Sequence, residues 1–278
     1  MKLLTLNTHS LQERNYPDKL GHFVRFVLRE APDVIALQEV NQVAGAPPVP
    51  ADRLRGRVPV PGETIPVRAD NHALAAVEAL RRGGLAYHWA WHGFKLGYGR
   101  YDEGLALLSR RPMAEAACHL LSDCDAYTNW RTRKVLGFRP VDSTDWFYTV
   151  HMGWWADAEE PFRAQWARLE AAAAPRKQGG TVWLLGDFNA PAAVRGESYD
   201  CVAQAGWFDT YRLAERRDDG VTAPGAIDGW RGQTDGLRID QIWCSKAVGI
   251  PSSRVVLDGK QDPVVSDHYG VLVETADR

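Results

Sequence analysis

The chain has 278 residues, of which 45% are hydrophobic and 24% are charged, and its formal net charge is −2. This composition is typical of a globular protein, and the absence of a dense Lys/Arg block argues against a long nucleic acid as its partner. The four cysteines show no spacing typical of a zinc site or a disulfide scaffold. No apolar run is long enough for a membrane span and the N-terminal stretch lacks signal-peptide character, so we predict a cytoplasmic protein.

The first part of the chain is predicted to alternate strands and helices. Residues 2–6 and 34–37 are short apolar runs typical of buried strands, and residues 16–30 between them have apolar positions at helical spacing. The proline-rich segment 43–69 predicts an insert loop, because it is too long for a plain connection. A second helix is predicted from about residue 70 to residue 82. Strand, helix and strand in this order indicate α/β construction.

The remainder is predicted to be rich in strands, with a helix over residues 159–174 and a short helix over 207–213. A second, glycine-rich insert is predicted over residues 220–236. The further predicted strands share apolar or β-branched runs that end at turn residues: 85–91, 104–109, 118–123, 133–139, a run that ends at His151, 182–185, a run that contains Asp240, 253–257, and a final strand after His268. No internal repeat or linker is visible, so we predict one domain over residues 1–278.

Nine polar side chains lie at the ends of these predicted strands or beside tight turns: Asn7, Glu39, Glu103, His151, Asp187, Asn189, Asp240, Asp267 and His268. Carboxylate and carboxamide oxygens are hard ligands that suit Mg²⁺ or Mn²⁺. Histidines with acidic partners suit an anionic transition state. No nucleophile-elbow or P-loop motif is present, so the residue types favour metal-assisted attack of water on phosphorus.

Each of these residues also has a structural interpretation when taken alone. Asp187 and Asn189 could form an Asx turn that closes a strand, and Asn7 could be an ordinary turn former. His151 could be a hydrogen-bonded core histidine. No single position decides between the interpretations, whereas the ordered set favours chemistry.

The order and wording of five motifs resemble the endonuclease/exonuclease/phosphatase superfamily. The motifs are Asn7 after the first strand, QE at Gln38-Glu39, GDFN at residues 186–189, RIDQIW around Asp240, and SDH at residues 266–268. The stretches MKLLTLNTHS, GYGRYDEGLALLSRRPM and NWRTRKVLG further resemble a bacterial subgroup that contains a maltose 6′-phosphate phosphatase. The resemblance implies a deoxyribonuclease-like four-layer α-β-β-α sandwich, in which two mainly antiparallel sheets pack face to face and the helices lie outside.

The resemblance also implies a metal site and a site for the attacking water. Glu39 would ligate the divalent cation, with Asn7 beside it, and Asp267 would hold a metal-bound water or a second metal. Asp187 would orient or deprotonate the attacking water, and Asn189 would hold that water or a phosphate oxygen.

A second group of residues is implied to contact the phosphate. His268, oriented by Asp240, would face the phosphate and stabilise its developing charge. His151 matches the second catalytic histidine of the deoxyribonuclease branch, and Glu103 matches the acid paired with it. Arg133 lies where that branch has a phosphate-contacting arginine.

The leading hypothesis is a phosphomonoesterase that acts on a small phosphorylated metabolite such as a sugar phosphate. It predicts that the two inserts close the site into a pocket in which Trp91, Trp154 or Trp230 stacks on a sugar. The second hypothesis is a phosphodiesterase, either a nuclease or a lipid-directed enzyme, that uses the same residues. The third is a non-catalytic regulatory module that kept the fold. The sequence predicts no membrane partner and leaves the oligomeric state open.

Overall fold

A computed structural model describes residues 1–227, 229–232 and 234–276. Its α-helices in chain order are α1 (Tyr16–Glu30), α2 (His72–Arg82), α3 (Phe162–Lys177), α4 (Ser198–Gln204) and α5 (Thr210–Leu213). Its strands are β1 (Lys2–Asn7), β2 (Val34–Val43), β3 (His88–Gly97), β4 (Tyr101–Ser109), β5 (Met113–Leu120), β6 (Lys134–Pro140), β7 (Trp146–His151), β8 (Val182–Asp187), β9 (Phe208–Asp209), β10 (Ala214–Arg217), β11 (Asp240–Cys244), β12 (Ile250–Val256) and β13 (Gly270–Glu274).

Within the described ranges, the strands form two sheets. A seven-stranded sheet has the order β10-β12-β13-β1-β2-β4-β3, and a six-stranded sheet has the order β5-β6-β7-β8-β11-β9. The pairs β1–β2, β10–β12 and β7–β8 are parallel, whereas the other neighbours are antiparallel. The sheets are therefore mixed and mainly antiparallel, as predicted.

Alternation of side chains along the strands separates three apolar layers. In β1, Leu4 and Leu6 pack against α1 and α2, whereas Leu3 packs between the two sheets. In β8, Leu185 joins that central layer, whereas Leu184 packs under α3. Helices thus cover both outer faces of the paired sheets, and the four-layer α-β-β-α prediction is confirmed.

Several predicted boundaries shift in the structure. The strand predicted over residues 34–37 continues to Val43, so Glu39 lies inside β2 and not at its end. The helix predicted over 159–174 begins at Phe162 and ends at Lys177. The segment 207–213 forms the two-residue strand β9 followed by the one-turn helix α5.

The insert 43–69 packs beside β3 and against the outer face of the seven-stranded sheet. Leu54 and Val67 are buried in the layer that also contains α1 and α2, and the Val58 amide donates to the Trp89 carbonyl at 2.8 Å. Arg68 pairs with Asp102 of β4 at 2.7 Å. The insert is therefore part of the folded scaffold.

Among the described residues, no helix combines the length and the apolar character needed to cross a bilayer.

Candidate active site

Strand register brings acids and a histidine together at one end of the six-stranded sheet. His151 of β7 is the parallel partner of Asp187 of β8, and Asp240 of β11 is the antiparallel partner of the same residue. Gly186 makes this pairing possible, because a Cβ at that position would collide with the Val150 carbonyl of β7. Asn7 ends β1 in the facing sheet and donates through Nδ2 to Asp187 Oδ2 at 3.2 Å. The two sheets therefore meet at Asp187.

Two β-bulges aim further side chains toward the same place. The register of β2 with β4 shifts between Leu37 and Val40, and Glu39 inside this irregularity has a positive φ of 50°. The register of β3 with β4 shifts between Gly93 and Lys95, after which Lys95 lies opposite Glu103. Bulges re-aim side chains in this way near functional sites.

The Asp187 carboxylate is 2% exposed and fixed by two donors. Its Oδ1 accepts from the Asn189 amide at 2.8 Å and its Oδ2 accepts from Asn7 Nδ2 at 3.2 Å. Burial first, and then the neighbouring Asp240 carboxylate, raise the pKa of Asp187 to about 7, although His268 opposes this shift. A carboxylate with such a pKa can accept a proton near neutral pH.

His268 lies in the loop that precedes β13 and is oriented by Asp240. Its Nδ1 lies 2.9 Å from Asp240 Oδ2, and its Nε2 lies 3.8 Å from Asp187 Oδ2. Burial alone would lower the pKa of His268, but the carboxylates of Asp240 and Asp187 raise it well above its ordinary value. The imidazole is therefore cationic at neutral pH and can stabilise negative charge beside Asp187.

On the other side of Asp187 the ionisable groups are basic. His151 Nε2 lies 3.7 Å from Asp187 Oδ2, and burial, followed by Arg133 and Lys95, lowers the pKa of His151 well below its usual value. Burial likewise lowers the pKa of Arg133 and of Lys95. A neutral imidazole beside two buried cations is suited to bind an anion.

The acidic side of the site fits a hard divalent cation. Glu39 accepts from Asn7 Nδ2 at 3.0 Å, and burial, followed by repulsion from Glu103, raises the pKa of Glu39. Glu39 and Asp267 line one cavity. Oxygen donors from carboxylates, with a nearby carboxamide, are the ligands that Mg²⁺ or Mn²⁺ prefers, and a cation there would offset the unfavourable burial of Glu39.

Two clusters have ligand atoms within 4.8 Å of one another among the described residues: His9, Glu13 and Asp267, and Asp187, Asp240 and His268. The second cluster contains the His268–Asp240 hydrogen bond, and a protonated imidazole does not ligate a metal. We therefore interpret it as a charged hydrogen-bond network. In the first cluster, His9 Nδ1 bonds Glu13 Oε1 at 2.8 Å and lies 3.8 Å from Asp267.

These groups surround a cavity of about 540 Å³. Its walls include two indoles, Trp130 and Trp154, whose ring centroids lie 5.9 Å apart with a tilt of 59°. Trp130 is 48% exposed, and the Arg131 guanidinium lies 4.4 Å from its ring centroid. The Arg133 guanidinium lies 5.9 Å from the Trp154 ring centroid. Two mutually tilted, partly exposed aromatic rings therefore lie in the cavity wall next to two arginines.

Trp91 does not belong to this cavity. It is 0% exposed in the layer between the seven-stranded sheet and its helices, and its indole N–H donates to the Val40 carbonyl at 3.0 Å. The prediction that Trp91 lies in the substrate pocket is wrong, because alternation along β3 turns Trp89 and Trp91 to the outer face of the sheet.

The two inserts contribute unequally to the cavity. None of the residues 43–69, all of which the structure describes, lines it, so the expectation that this insert closes the pocket is wrong. From residues 220–236, Gly229 and Arg231 line the cavity. Trp230 supports it indirectly, because its indole N–H donates to Asn189 Oδ1 at 3.0 Å.

Seven of the described residues that line the cavity were not named as site residues from the sequence: Lys95, Leu96, Gly97, Tyr98, Trp130, Gly229 and Arg231. Lys95 and Tyr98 belong to the segment GFKLGYGRYDEG, most of which lies between the strands predicted over residues 85–91 and 104–109. The Tyr98 hydroxyl donates to Glu39 Oε2 at 3.3 Å. A lysine in a glycine-rich hairpin beside Glu103 was the available signal, but pairing between Lys95 and Glu103 requires the bulge, which has no clear sequence signature.

The chain resembles several solved structures over its whole length. An endonuclease/exonuclease/phosphatase family protein from Leptotrichia buccalis C-1013-b is 26% identical, with a TM-score of 0.86 and 100% of both chains covered. A mannosyl-6-phosphatase from Bacteroides thetaiotaomicron VPI-5482 (16% identity, TM-score 0.67) and a 3′ phosphatase from Neisseria bound to product DNA hairpin (20% identity, TM-score 0.65) also match, with 100% of both chains covered in each case. The last two likenesses concern the fold alone.

Sequence comparison gives the family directly. A search of curated protein sequences finds no significant match. The family model described as "Endonuclease/Exonuclease/phosphatase family" matches residues 4–268. The chain therefore belongs to the endonuclease/exonuclease/phosphatase family and is a phosphoesterase hydrolase.

Proposed function

We propose that this protein is a divalent-metal-dependent phosphomonoesterase that removes phosphate from a small phosphorylated metabolite, such as a sugar phosphate. The observation that carries the proposal is the cavity of about 540 Å³, which joins buried acids and histidines to a basic, tryptophan-lined wall. This volume suits a small ligand. The proposal includes Mg²⁺ or Mn²⁺ as the ion and the cytoplasm as the location, as the sequence predicts.

A divalent metal would be held on the acidic side of the cavity. Glu39 and Asp267 would supply carboxylate oxygens, and the Asn7 carboxamide lies beside Glu39 at 3.0 Å. When bound, the cation supplies positive charge that stabilises negative charge developing on the phosphoryl oxygens. The Asn7 bond to Asp187 ties this metal-binding side to the group that handles the proton.

Asp187 prepares the water. Its carboxylate is fixed by the Asn189 amide and by Asn7, so its position does not depend on substrate. With a pKa of about 7, Asp187 accepts the proton that the attacking water loses. Asn189 is itself fixed, because its Nδ2 donates to the Met152 carbonyl at 2.9 Å and its Oδ1 accepts from Trp230. The water therefore meets a preorganised acceptor.

The phosphate is held between two histidines and a guanidinium. His268, charged through Asp240, donates from Nε2 to a phosphoryl oxygen and stabilises its growing charge. His151 and Arg133 contact the remaining oxygens from the opposite side of Asp187. Glu103 keeps this side in place through its ion pair with Lys95 at 2.8 Å.

The leaving group lies against the tryptophan wall. Trp130 and Trp154 present a tilted aromatic surface next to the phosphate-binding side chains, and a sugar face packs well on such rings. Among the described residues, the lysine and arginine side chains that line the cavity are Lys95, Arg133 and Arg231, which are too few to form a strip along a nucleic-acid backbone. This arrangement favours a compact ligand over a polymer.

The test is steady-state hydrolysis of a panel of sugar phosphates with Mg²⁺ and after removal of Mg²⁺ with a chelator. Duplex DNA with an abasic site and bis(p-nitrophenyl) phosphate serve as the diester arm. We expect kcat/KM for at least one sugar phosphate to exceed that for both diesters by on the order of 100-fold or more, with loss of activity in the chelator. Cleavage of DNA with untouched sugar phosphates would overturn the proposal.

A further inference from the structure

Lys95 occupies an unusual position for a lysine. It is 5% exposed and lines the cavity, because the bulge in β3 places it opposite Glu103 of β4. Its Nζ lies 2.8 Å from Glu103 Oε1 and 3.3 Å from the Trp130 carbonyl oxygen. Lysine is rarely buried without a strong reason, because its charge is costly to remove from water.

The ammonium group retains capacity to bind a ligand. An ammonium has three hydrogens to donate, and the described residues provide Lys95 Nζ with two partners. The third hydrogen is therefore available to a group in the cavity.

The neighbouring guanidinium is also incompletely bonded. Arg133 is 3% exposed, and its Nη1 donates to the carbonyls of Trp130 and Thr132 at 2.9 and 3.1 Å. Its Nε is buried and has no hydrogen-bond partner among the described residues. A buried, unsatisfied donor on a cation that lines a cavity points to an anionic ligand.

Lys95 and Arg133 act as a pair because both donate to the Trp130 carbonyl oxygen. This shared acceptor holds the ammonium and the guanidinium side by side. Glu103 forms an ion pair with the ammonium at 2.8 Å, whereas among the described residues no carboxylate forms an ion pair with the Arg133 guanidinium, whose Nη1 bonds two backbone carbonyls.

The number of charges distinguishes the possible ligands. A phosphate monoester carries a charge of roughly −1.5 to −2 near neutral pH, whereas a diester carries one negative charge and replaces an anionic oxygen with an ester oxygen. The positive charges of the divalent cation and of His268 are enough to balance a phosphate group that carries one negative charge. A second cationic contact therefore benefits the monoester most.

From these contacts we propose that Lys95, paired with Arg133, is the specificity-determining residue that makes the site prefer a terminal phosphate over a phosphodiester. This inference rests on the proposed phosphomonoesterase function and adds the residue that sets its selectivity. A purely structural role, in which Lys95 only neutralises Glu103, is the alternative. It does not account for the unsatisfied Arg133 Nε or for the position of Nζ in the cavity wall.

The test compares Lys95→Met with Lys134→Met. Lys134 is a matched control because it also forms an ion pair, with Asp125 at 2.7 Å, and it is not among the described residues that line the cavity. Calorimetric titration of the Mg²⁺-loaded proteins at pH 8 uses inorganic phosphate as the dianionic probe and dimethyl phosphate as the monoanionic probe. The same variants are assayed for kcat/KM on a monoester and on bis(p-nitrophenyl) phosphate.

We expect Lys95→Met to weaken phosphate binding on the order of 30- to 100-fold, the loss typical of a removed hydrogen bond between charged groups. Dimethyl phosphate binding should change less than about 3-fold, and the monoester-to-diester ratio of kcat/KM should fall with phosphate affinity. Lys134→Met should leave unchanged both the ratio of phosphate affinity to dimethyl phosphate affinity and the monoester-to-diester ratio of kcat/KM. Equal losses for both probes, or no loss of phosphate affinity, would overturn the inference.

Two further variants separate misfolding from loss of selectivity. Lys95→Arg keeps the charge and should retain most of the preference for phosphate. The double variant Lys95→Met/Glu103→Gln removes both charges of the ion pair, so it should fold without an unpaired buried acid and still lack the preference. If wild-type protein hydrolyses only diesters, the proposed function fails; if it hydrolyses monoesters and Lys95→Met keeps the ratio, only this inference fails.

Discussion

The floor of the cavity and its rim are built differently. We define the floor as the cavity-lining residues Asp187 and His268 together with Asn7 and Asp240, which bond to them from beneath the lining. All four are at most 4% exposed and lie at strand ends or in the loop tied to β1 by the Ser266–Asn7 hydrogen bond of 2.7 Å. The rim consists of Tyr98, Trp130, Trp154 and Arg231, which lie in connecting segments. Sheet register therefore fixes the polar groups of the floor, whereas the side chains of the rim belong to loops, whose sequence and length are less constrained by the fold.

The largest expected effect is at the floor, in Asp187→Asn. The substitution keeps the shape of the side chain but removes the proton acceptor, so kcat should fall roughly 10³- to 10⁴-fold. Phosphate affinity should change little. Steady-state kinetics and phosphate titration measure the two quantities, with Asp142→Asn on the exposed surface as the control. An Asp187→Asn enzyme with more than a tenth of the wild-type kcat would contradict the assignment.

Asp240→Asn tests whether the Asp240 carboxylate keeps His268 protonated. Without the carboxylate 2.9 Å from Nδ1, the pKa of His268 should fall, since Asp240 is a principal group that raises it. In the proposed mechanism the protonated form of His268 is the active one, so activity should be lost at a lower pH than in wild type as the pH rises. We expect kcat to drop roughly 100-fold at neutral pH, and a pH–rate profile with its alkaline limb unmoved would argue against this role.

At the rim, Trp130→Ala should have a smaller and different effect. The substitution removes the indole but keeps the backbone carbonyl that binds Lys95 and Arg133. KM for a sugar phosphate should rise about 3- to 10-fold, as expected for one lost aromatic contact, with kcat and phosphate affinity preserved. Phe208→Ala removes an exposed ring elsewhere and is the control. A fall in kcat without a change in KM would contradict the proposal that the rim binds substrate whereas the floor carries the chemical step.

The smallest expected effect lies in the scaffold, away from both regions. Burial lowers the pKa of His72 in α2 to about 4, so the unfolded chain binds a proton between pH 6.5 and 4 that the folded chain does not. This contribution to stability is present above pH 6.5 and is lost as the pH falls. Its size should be about 2 kcal/mol between pH 7.5 and pH 5.

Urea unfolding at these two pH values measures the His72 contribution. His72→Gln should lose about 2 kcal/mol less than wild type on acidification, whereas His22→Gln, at the surface of α1, should behave like wild type. Equal losses in wild type and His72→Gln would show that this histidine does not remain neutral in the fold. Activity at pH 7.5 should be similar in the folded variants, because His72 touches neither the floor nor the rim.

The positions of the floor residues are predicted well because each of them lies at or near the end of a recognisable strand. The apolar run before Asp187 and Asn189, and the final strand after His268, are visible as patterns, and two sheets that pack face to face bring such ends together. Family resemblance then supplies the order of the motifs. The sequence does not show the distances that place Asp187 next to Asn7, His151 and Asp240.

Several features outside the floor are predicted poorly for physical reasons. A β-bulge moves one residue out of register without a clear sequence signal, so the sequence pattern indicates a loop at Lys95 and a strand end at Glu39. Trp91 shows the opposite error: a tryptophan between histidines resembles a binding residue, but strand alternation places it in the core. The insert 43–69 resembles a flap but is tied to β3 and β4 through Val58 and Arg68.

We propose that the rim restricts a floor able to cleave many phosphoesters to small monoesters. The most direct measurement is competition in one reaction, with a sugar phosphate and a 3′-phosphorylated DNA hairpin at equal concentration and limiting Mg²⁺-loaded enzyme. We expect phosphate to be released from the sugar phosphate first, while the DNA remains intact. Preferential dephosphorylation or cleavage of the DNA would contradict it.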